Sequence, residues 1–365
     1  MTFPLDNFKE HAIAAGRSDE FIRETVEYVE KLQNSDLPVL FSIVHLALSS
    51  RFSIRGILNI CNSDRIDYYK RYKLRKKRGG YRVIQSPESE LKYLQKWILL
   101  NVLEKIPSHT NCKGFDKGTS IKQNAQEHLN SECILKIDLL RFYDSINEKR
   151  VYGIFRSLGY QKNLAVSMAK ICTIKPSRTM LYSFKKNEQR LKQEILEGEQ
   201  GLLPQGACTS PKLSNLILRR LDHRLAKLCE KNELKYTRYA DDLTFSGQEE
   251  KLRSAKKVIY KIIRDEKFHV NYGKTQFLKR GSRFFVTGLS VHNDEVRVPK
   301  RFKKEIEHHL YHCNTNGVVA HIRKNNITNR NFKDWLLGCI CFVNSVEPDQ
   351  GAKYFEEYNK INWPI

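Results

Sequence analysis

What this chain lacks narrows its class first. No apolar run approaches the roughly 18 to 20 residues that a membrane-spanning helix needs, so no membrane partner is expected. The nine cysteines are scattered, odd in number and without a CxxC pair, and no secretory leader is visible at the N-terminus. Free thiols in a reducing cytoplasm are therefore expected rather than a disulfide framework. There is no internal repeat and no low-complexity linker, which excludes solenoids and long disordered arms. Acidic residues are scarce: 41 Asp and Glu stand against 64 Lys and Arg, a net charge of +23. So large an excess makes a sustained positive field, and nucleic acid is the commonest polyanion to meet it. Lysine on solvated faces is the plain alternative. Apolar residues at 40% suffice for a core.

Periodicity organises what is there. Residues 1–65 have helical spacing (Phe21, Ile22, Val26, Val29, Leu32) up to a break at Asn62-Ser63-Asp64. Tyr68 to Val83 alternates around Gly79-Gly80 as a hairpin would, and Leu91 to Leu103 returns to helical period. Ile134 to Ile137 is a short buried-strand run with Asp138 at its tip. Helices are predicted over Tyr152–Cys172, Pro211–Cys229 and Leu252–Asp265, with a charged exposed helix or surface insertion over Lys185–Glu199. Two strands joined at Ala240-Asp241-Asp242 are predicted over Tyr236–Ser246, and a second hairpin over Phe284–Val298 turning at Asn293-Asp294. Phe302–Cys313 and Asn331–Val343 are further helical candidates. The alternation predicts an α+β body with helical ends.

Adjacent aspartates in a strand turn repel and lose solvation, so a cation normally offsets them. In a basic chain that cation could be Arg238 or a lysine, with no function implied. A third carboxylate, Asp138, at the end of another strand favours a different answer. Phosphoryl transfer to a sugar hydroxyl needs two hard cations held by carboxylate oxygens, one to activate the hydroxyl and one to neutralise the departing pyrophosphate. Three aspartates at one sheet edge can supply that site.

Taken together, Asp138, Leu203-Pro204-Gln205-Gly206-Ala207-Cys208-Thr209-Ser210-Pro211 and Tyr239-Ala240-Asp241-Asp242 resemble the ordered palm motifs of reverse transcriptases over residues 65 to 300. Within that family the chain is most similar to the retron reverse transcriptases. Asn124-Ala125-Gln126-Glu127-His128 matches their Asn-Ala-x-x-His signature, and Val286-Thr287-Gly288 their Val-Thr-Gly signature.

The resemblance implies a right-hand polymerase: an N-terminal helical region (1–65), fingers and an antiparallel palm (66–300) and a helical, RNA-binding thumb (301–365). It implies Asp138, Asp241 and Asp242 as catalytic carboxylates binding two Mg2+, with the Leu139 carbonyl as an extra ligand. Tyr143 would exclude a 2′-hydroxyl, its bland alternative being core packing. Lys76, Lys77 and Arg82 would grip the triphosphate, which of the two lysines does so being open, and RNA phosphate is a rival ligand. Gln205 would touch nucleotide and template, and Lys274 the leaving pyrophosphate. Phe284 to Leu289 would form the primer-grip hairpin. RNA would be bound by Asn124, His128, Val286, Thr287 and Gly288, and by Lys300, Arg301, Lys303 and Lys304 unless these four are a bare solvated face. His308 and His312 share a helix face, but no second ligand pair is apparent, so nucleic-acid contact is preferred to zinc.

The implied activity is synthesis of DNA from dNTPs on a partner noncoding RNA. Priming from the 2′-hydroxyl of a guanosine in that RNA would give a branched RNA–DNA hybrid (msDNA). A bacterial cytoplasmic setting, a role in anti-phage defence and a separate effector protein are implied with it, and self-association is left open. Two rivals remain. One is a group II intron-like or other bacterial reverse transcriptase, of which those of intron type usually carry further maturase and DNA-binding regions for which the chain is too short. A non-catalytic RNA-binding scaffold would have no need of three converging aspartates.

Overall fold

The computed structural model describes residues 3–75, 81–279, 283–292 and 294–364. Four helices open the chain: α1 (Leu5–Ala14), α2 (Asp19–Asn34), α3 (Ile43–Ser50) and α4 (Ile54–Asn62). The last three begin on Ser18, Ser42 and Ser53, whose side chains each accept a first-turn amide and so satisfy a donor that helix geometry leaves orphaned. The predicted hairpin follows as β1 (Tyr69–Arg75) and β2 (Tyr81–Pro87), paired antiparallel. Its turn, with Lys76, Lys77, Gly79 and Gly80, lies outside the described residues.

Next come α5 (Ser89–Asn101), α6 (Ile121–Gln126), β3 (Cys133–Asp138), α7 (Glu148–Ser157) and α8 (Lys162–Ile171). The single helix expected over Tyr152–Cys172 is thus two, because Gly159 takes φ +109° and turns the chain. Helices α9 (Arg178–Tyr182) and α10 (Gln189–Gly198) form the charged segment. It is not a bare surface insertion: Leu191 and Ile195 pack with Phe184 and Leu202 in a small cluster of their own. The helix expected from Pro211 also divides, into α11 (Ser210–Ile217) and α12 (Arg219–Lys231), at Leu218.

The remaining elements are β4 (Lys235–Tyr239), β5 (Asp242–Gly247), α13 (Glu249–Asp265), β6 (Gln276–Lys279), β7 (Phe284–Val286), β8 (Leu289–His292), β9 (Glu295–Arg297), α14 (Lys300–Asn316), α15 (Val318–Lys324), α16 (Phe332–Val346) and α17 (Pro348–Asn359). The expected hairpin over Phe284–Val298 is a three-stranded antiparallel sheet, since Thr287 and Gly288 both take positive φ and make a turn of their own. The protein is a mixed α+β structure with antiparallel sheets.

A four-stranded antiparallel sheet in the order β4-β5-β3-β6 carries the site. The two-residue period of a strand sorts β3 onto two faces. Cys133, Leu135 and Ile137 enter a core that also holds Leu32, Leu46 and Ile57 of the N-terminal helices, so those helices share the core of the sheet. On the other face, Ile134 joins a second core with β7–β9 and α14–α17, while Lys136 and Asp138 remain partly exposed. That second core unites the β7–β9 sheet with the helices after residue 300, so packing does not divide the chain at that expected boundary.

Candidate active site

Strand pairing assembles the carboxylates. Asp138, the last residue of β3, lies directly across the ladder from Asp242, the first residue of β5. Asp241 occupies the β4–β5 turn, where Ala240 holds a left-handed φ of +55°. The Asp241 carbonyl accepts the Leu139 amide at 2.9 Å, tying the turn to the end of β3. Burial, followed by the charge of Asp138, pushes the Asp241 carboxyl up to about 6. Burial also raises Asp242, against the opposing pull of Lys136.

Two lysines offset this crowding. Lys274 Nζ stands 2.9 Å from both oxygens of Asp138, and Asn271 Nδ2 donates to Asp138 Oδ1 at 2.8 Å. Lys136 Nζ lies 3.4 Å from Asp242 Oδ2. Arg238 does not serve as the offsetting cation. Its guanidinium is fully buried and turned away, bound in bidentate fashion to Asp222 at 2.8 and 2.7 Å. It also donates to the Ala240 carbonyl and to Asn215 Oδ1, both at 3.1 Å, so it braces the turn from behind.

Among the described residues no three His, Cys, Asp or Glu side chains are gathered at metal-holding spacing. The donors nonetheless suit a hard divalent cation. They are carboxylate oxygens, with the Asp241 and Asp242 carboxyls raised chiefly by burial and further by the neighbouring Asp138 charge, and with lysine ammoniums nearby as counter-charge.

The other expected nucleotide contacts divide. Tyr143 is half-buried, and burial with the Asp241 charge pushes its hydroxyl up to about 12; Arg82, exposed on β2, acts on it in the opposite sense. Gln205 is partly exposed, and its carbonyl accepts the Gln85 amide at 2.8 Å, docking the loop against β2. Gly206 takes φ +130°, and a Cβ there would stand 2.8 Å from the Gln85 carbonyl oxygen, so only glycine permits the approach. Lys274, expected near the leaving pyrophosphate, is paired with Asp138 at the same sheet edge. Lys76 and Lys77 lie outside the described residues.

The family described as "Reverse transcriptase (RNA-dependent DNA polymerase)" matches residues 74–298. The Retron Ec86 reverse transcriptase of Escherichia coli is 34% identical over 309 residues, covering 82% of this chain and 88% of that one. This chain belongs to the retron reverse transcriptases. It is an RNA-directed DNA polymerase, of a family that generally uses divalent metal ions and a nucleic-acid template. The Retron Mx162 reverse transcriptase of Myxococcus xanthus is 29% identical over 318 residues, 82% of this chain and 62% of that longer protein. Among solved structures, telomerase from Candida albicans is similar at 13% identity and a TM-score of 0.41, covering 79% of this chain and 56% of that one. No helix among the described residues is long and apolar enough to cross a membrane.

The two retron signatures hold each other in this reverse transcriptase. Asn124 is buried and its Nδ2 reaches Thr287 Oγ1 at 3.4 Å, while Thr287 Oγ1 donates to the Ile121 carbonyl at 3.2 Å. His128 is fully buried, with Nδ1 2.8 Å from Ser246 Oγ and Nε2 2.7 Å from Thr237 Oγ1. Val286 is fully buried as well. The expected RNA contact by the side chains of Asn124, His128 and Val286 does not fit their burial: both His128 ring nitrogens are partnered and Val286 is packed in the core, while Asn124 Oδ1 is buried without a hydrogen-bond partner. Gly288 remains exposed and Thr287 partly so.

Lys300, Arg301 and Lys304 are exposed on the first turns of α14, whereas Lys303 is mostly covered and paired with Glu347 at 2.7 Å. Lys303 is thus a packing residue between α14 and the start of α17. The histidine pair acquires the neighbours that were not apparent in sequence. His321 of α15 lies 2.8 Å from His309, and its ring is 5.6 Å from those of both His308 and His312.

Sequence reasoning missed Lys136, Asn271, Asn215 and Asp222. Lys136 was within reach, since it stands two residues before Asp138 and so on the same strand face. Nothing local marks the other three.

Proposed function

We propose that Asp138, Asp241 and Asp242 are the catalytic carboxylates of a two-magnesium polymerase centre, with Leu139 as a further carbonyl ligand. The observation that carries this is the Asp138–Asp242 register across β3 and β5 with Asp241 in the adjoining turn. Magnesium held there would supply Lewis acidity to the attacking hydroxyl and charge to the leaving pyrophosphate. The chain's own residues do the rest. Lys274 on Asp138 and Lys136 beside Asp242 offset the carboxylate charge, and Lys274 would be available to the leaving pyrophosphate. Tyr143 presents its ring beside Asp241 where a deoxyribose would lie, and Arg82 meets the triphosphate, with Lys76 or Lys77 assisting. Gln205 and Gly206 seat the nucleotide against the β2 strand.

We assign a right-hand arrangement to the fold: fingers around β1–β2, a palm on the four-stranded sheet and a thumb of α14–α17. Exposed Lys300, Arg301 and Lys304, with Thr287 and Gly288 in the β7–β8 turn, form the RNA-facing edge. The substrate is a structured noncoding RNA partner, converted with dNTPs into a branched RNA–DNA hybrid in a bacterial defence system with a separate effector protein. Support for this comes from the retron relatives.

Sequencing the nucleic acid that co-purifies with the chain from its operon tests the proposal. A branched RNA–DNA species that is lost in an Asp241→Ala, Asp242→Ala variant is expected. RNA alone, unchanged by the variant, would overturn it in favour of a scaffold.

A further inference from the structure

Phe115 carries two costs that the fold does not recover. Its backbone is left-handed, φ +67°, a conformation disfavoured for a bulky side chain. Its ring is 47% exposed and belongs to neither of the two large cores. A strained, exposed aromatic ring points to function when something holds it at a reactive centre.

Phe115 is held at such a centre. Its ring centroid is 5.7 Å from that of Tyr239, at an interplanar angle of 48°, and Tyr239 is the first residue of the catalytic turn. The preceding Gly114 is pressed against that turn. A Cβ there would stand 3.2 Å from the Ala240 nitrogen and 3.3 Å from Tyr239 Cγ, and the Gly114 carbonyl accepts Asn215 Nδ2 at 2.7 Å. The Lys113 amide donates to the Arg238 carbonyl at 2.8 Å, so the segment is laced to β4 immediately before the aspartates.

We infer that Phe115 and Tyr239 form an aromatic platform on which a base of the bound nucleic-acid strand stacks beside the catalytic carboxylates. The inference rests on the turn being the polymerase centre. A base has an apolar π-face whatever its identity, so an exposed ring at this position binds any strand without reading its sequence. The strain is retained because relaxing the backbone would swing the ring off the strand.

The test uses the full chain, a fluorescein-labelled DNA primer annealed to an RNA template, and the variants Phe115→Gly, Phe115→Trp and Asp241→Asn. Loss of one stacking contact predicts hybrid binding about 5- to 150-fold weaker in Phe115→Gly. The KM for dNTP should be unchanged and Phe115→Trp should bind as the parent does. Because glycine relieves the left-handed strain, the melting midpoint of Phe115→Gly should be kept or raised by about 1 to 2 °C, which no structural role for the ring would produce.

Hybrid affinity equal to the parent's would overturn the inference. So would a midpoint lowered by more than about 5 °C, which marks a packing residue. A raised dNTP KM with unchanged hybrid affinity would also refute it, by placing the stacked base on the incoming nucleotide. Asp241→Asn separates this from the parent proposal. It should bind hybrid normally and incorporate nothing; if it incorporates normally, the centre itself is misassigned, whatever Phe115 does.

Discussion

Acidification should weaken this protein through His128. Its imidazole is fully buried between Ser246 and Thr237, and burial, helped by the charges of Lys235 and Lys136, lowers it to about 3 from an ordinary 6.5. Between those two values the unfolded chain binds a proton that the folded chain refuses, so stability falls as pH falls below about 6.5. At about 1.4 kcal/mol per pH unit, the loss from pH 7.5 to 5.0 is about 2 kcal/mol from this one side chain. Other groups titrate in the same window, so the quantity to measure is a difference. Urea unfolding of the parent and of His128→Gln, followed by tryptophan fluorescence at both pH values, isolates it. The variant should be about 1 to 2 kcal/mol less stable at pH 7.5, having lost a buried hydrogen bond. It should then lose about 2 kcal/mol less than the parent on acidification. Equal acid losses in the two proteins would refute the claim that His128 is held neutral by its packing.

Three further outcomes follow from the geometry. Gly206→Ala places a Cβ 2.8 Å from the Gln85 carbonyl at a φ of +130°, so the loop must leave β2. Primer extension should show a dNTP KM raised about tenfold or more with the nucleic-acid Kd little changed. Asp222→Ala strands a buried guanidinium and should cost about 3 to 5 kcal/mol in urea unfolding, whereas Asp222→Leu combined with Arg238→Met should recover much of it. In a double-mutant cycle, Asn124→Ala and Thr287→Ala should show a coupling of about 0.5 to 1 kcal/mol, reporting their mutual hydrogen bond. Strict additivity would mean that the two retron signatures do not engage each other.

The sequence by itself determined the trio of aspartates and many of the elements, though not where two helices would break or that the Phe284–Val298 hairpin would be three strands. A carboxylate at the end of an apolar strand, and two more in a turn between strands, were visible because strand periodicity and turn chemistry are local. Serine caps and the two-residue alternation that puts Lys136 on the face of Asp138 belong to the same class. What the sequence could not determine was which distant groups would meet. Lys274 reaches Asp138 across 136 positions, and Asn124 reaches Thr287 across 163. Arg238 turned from the aspartate pair to Asp222 because a buried guanidinium needs a buried carboxylate, and helix α12 supplies one at 2.7 Å. Burial likewise recast Asn124, His128 and Val286 from expected RNA contacts into parts of the core. The aspartates are a property of the chain; the charges and contacts that surround them are a property of its packing.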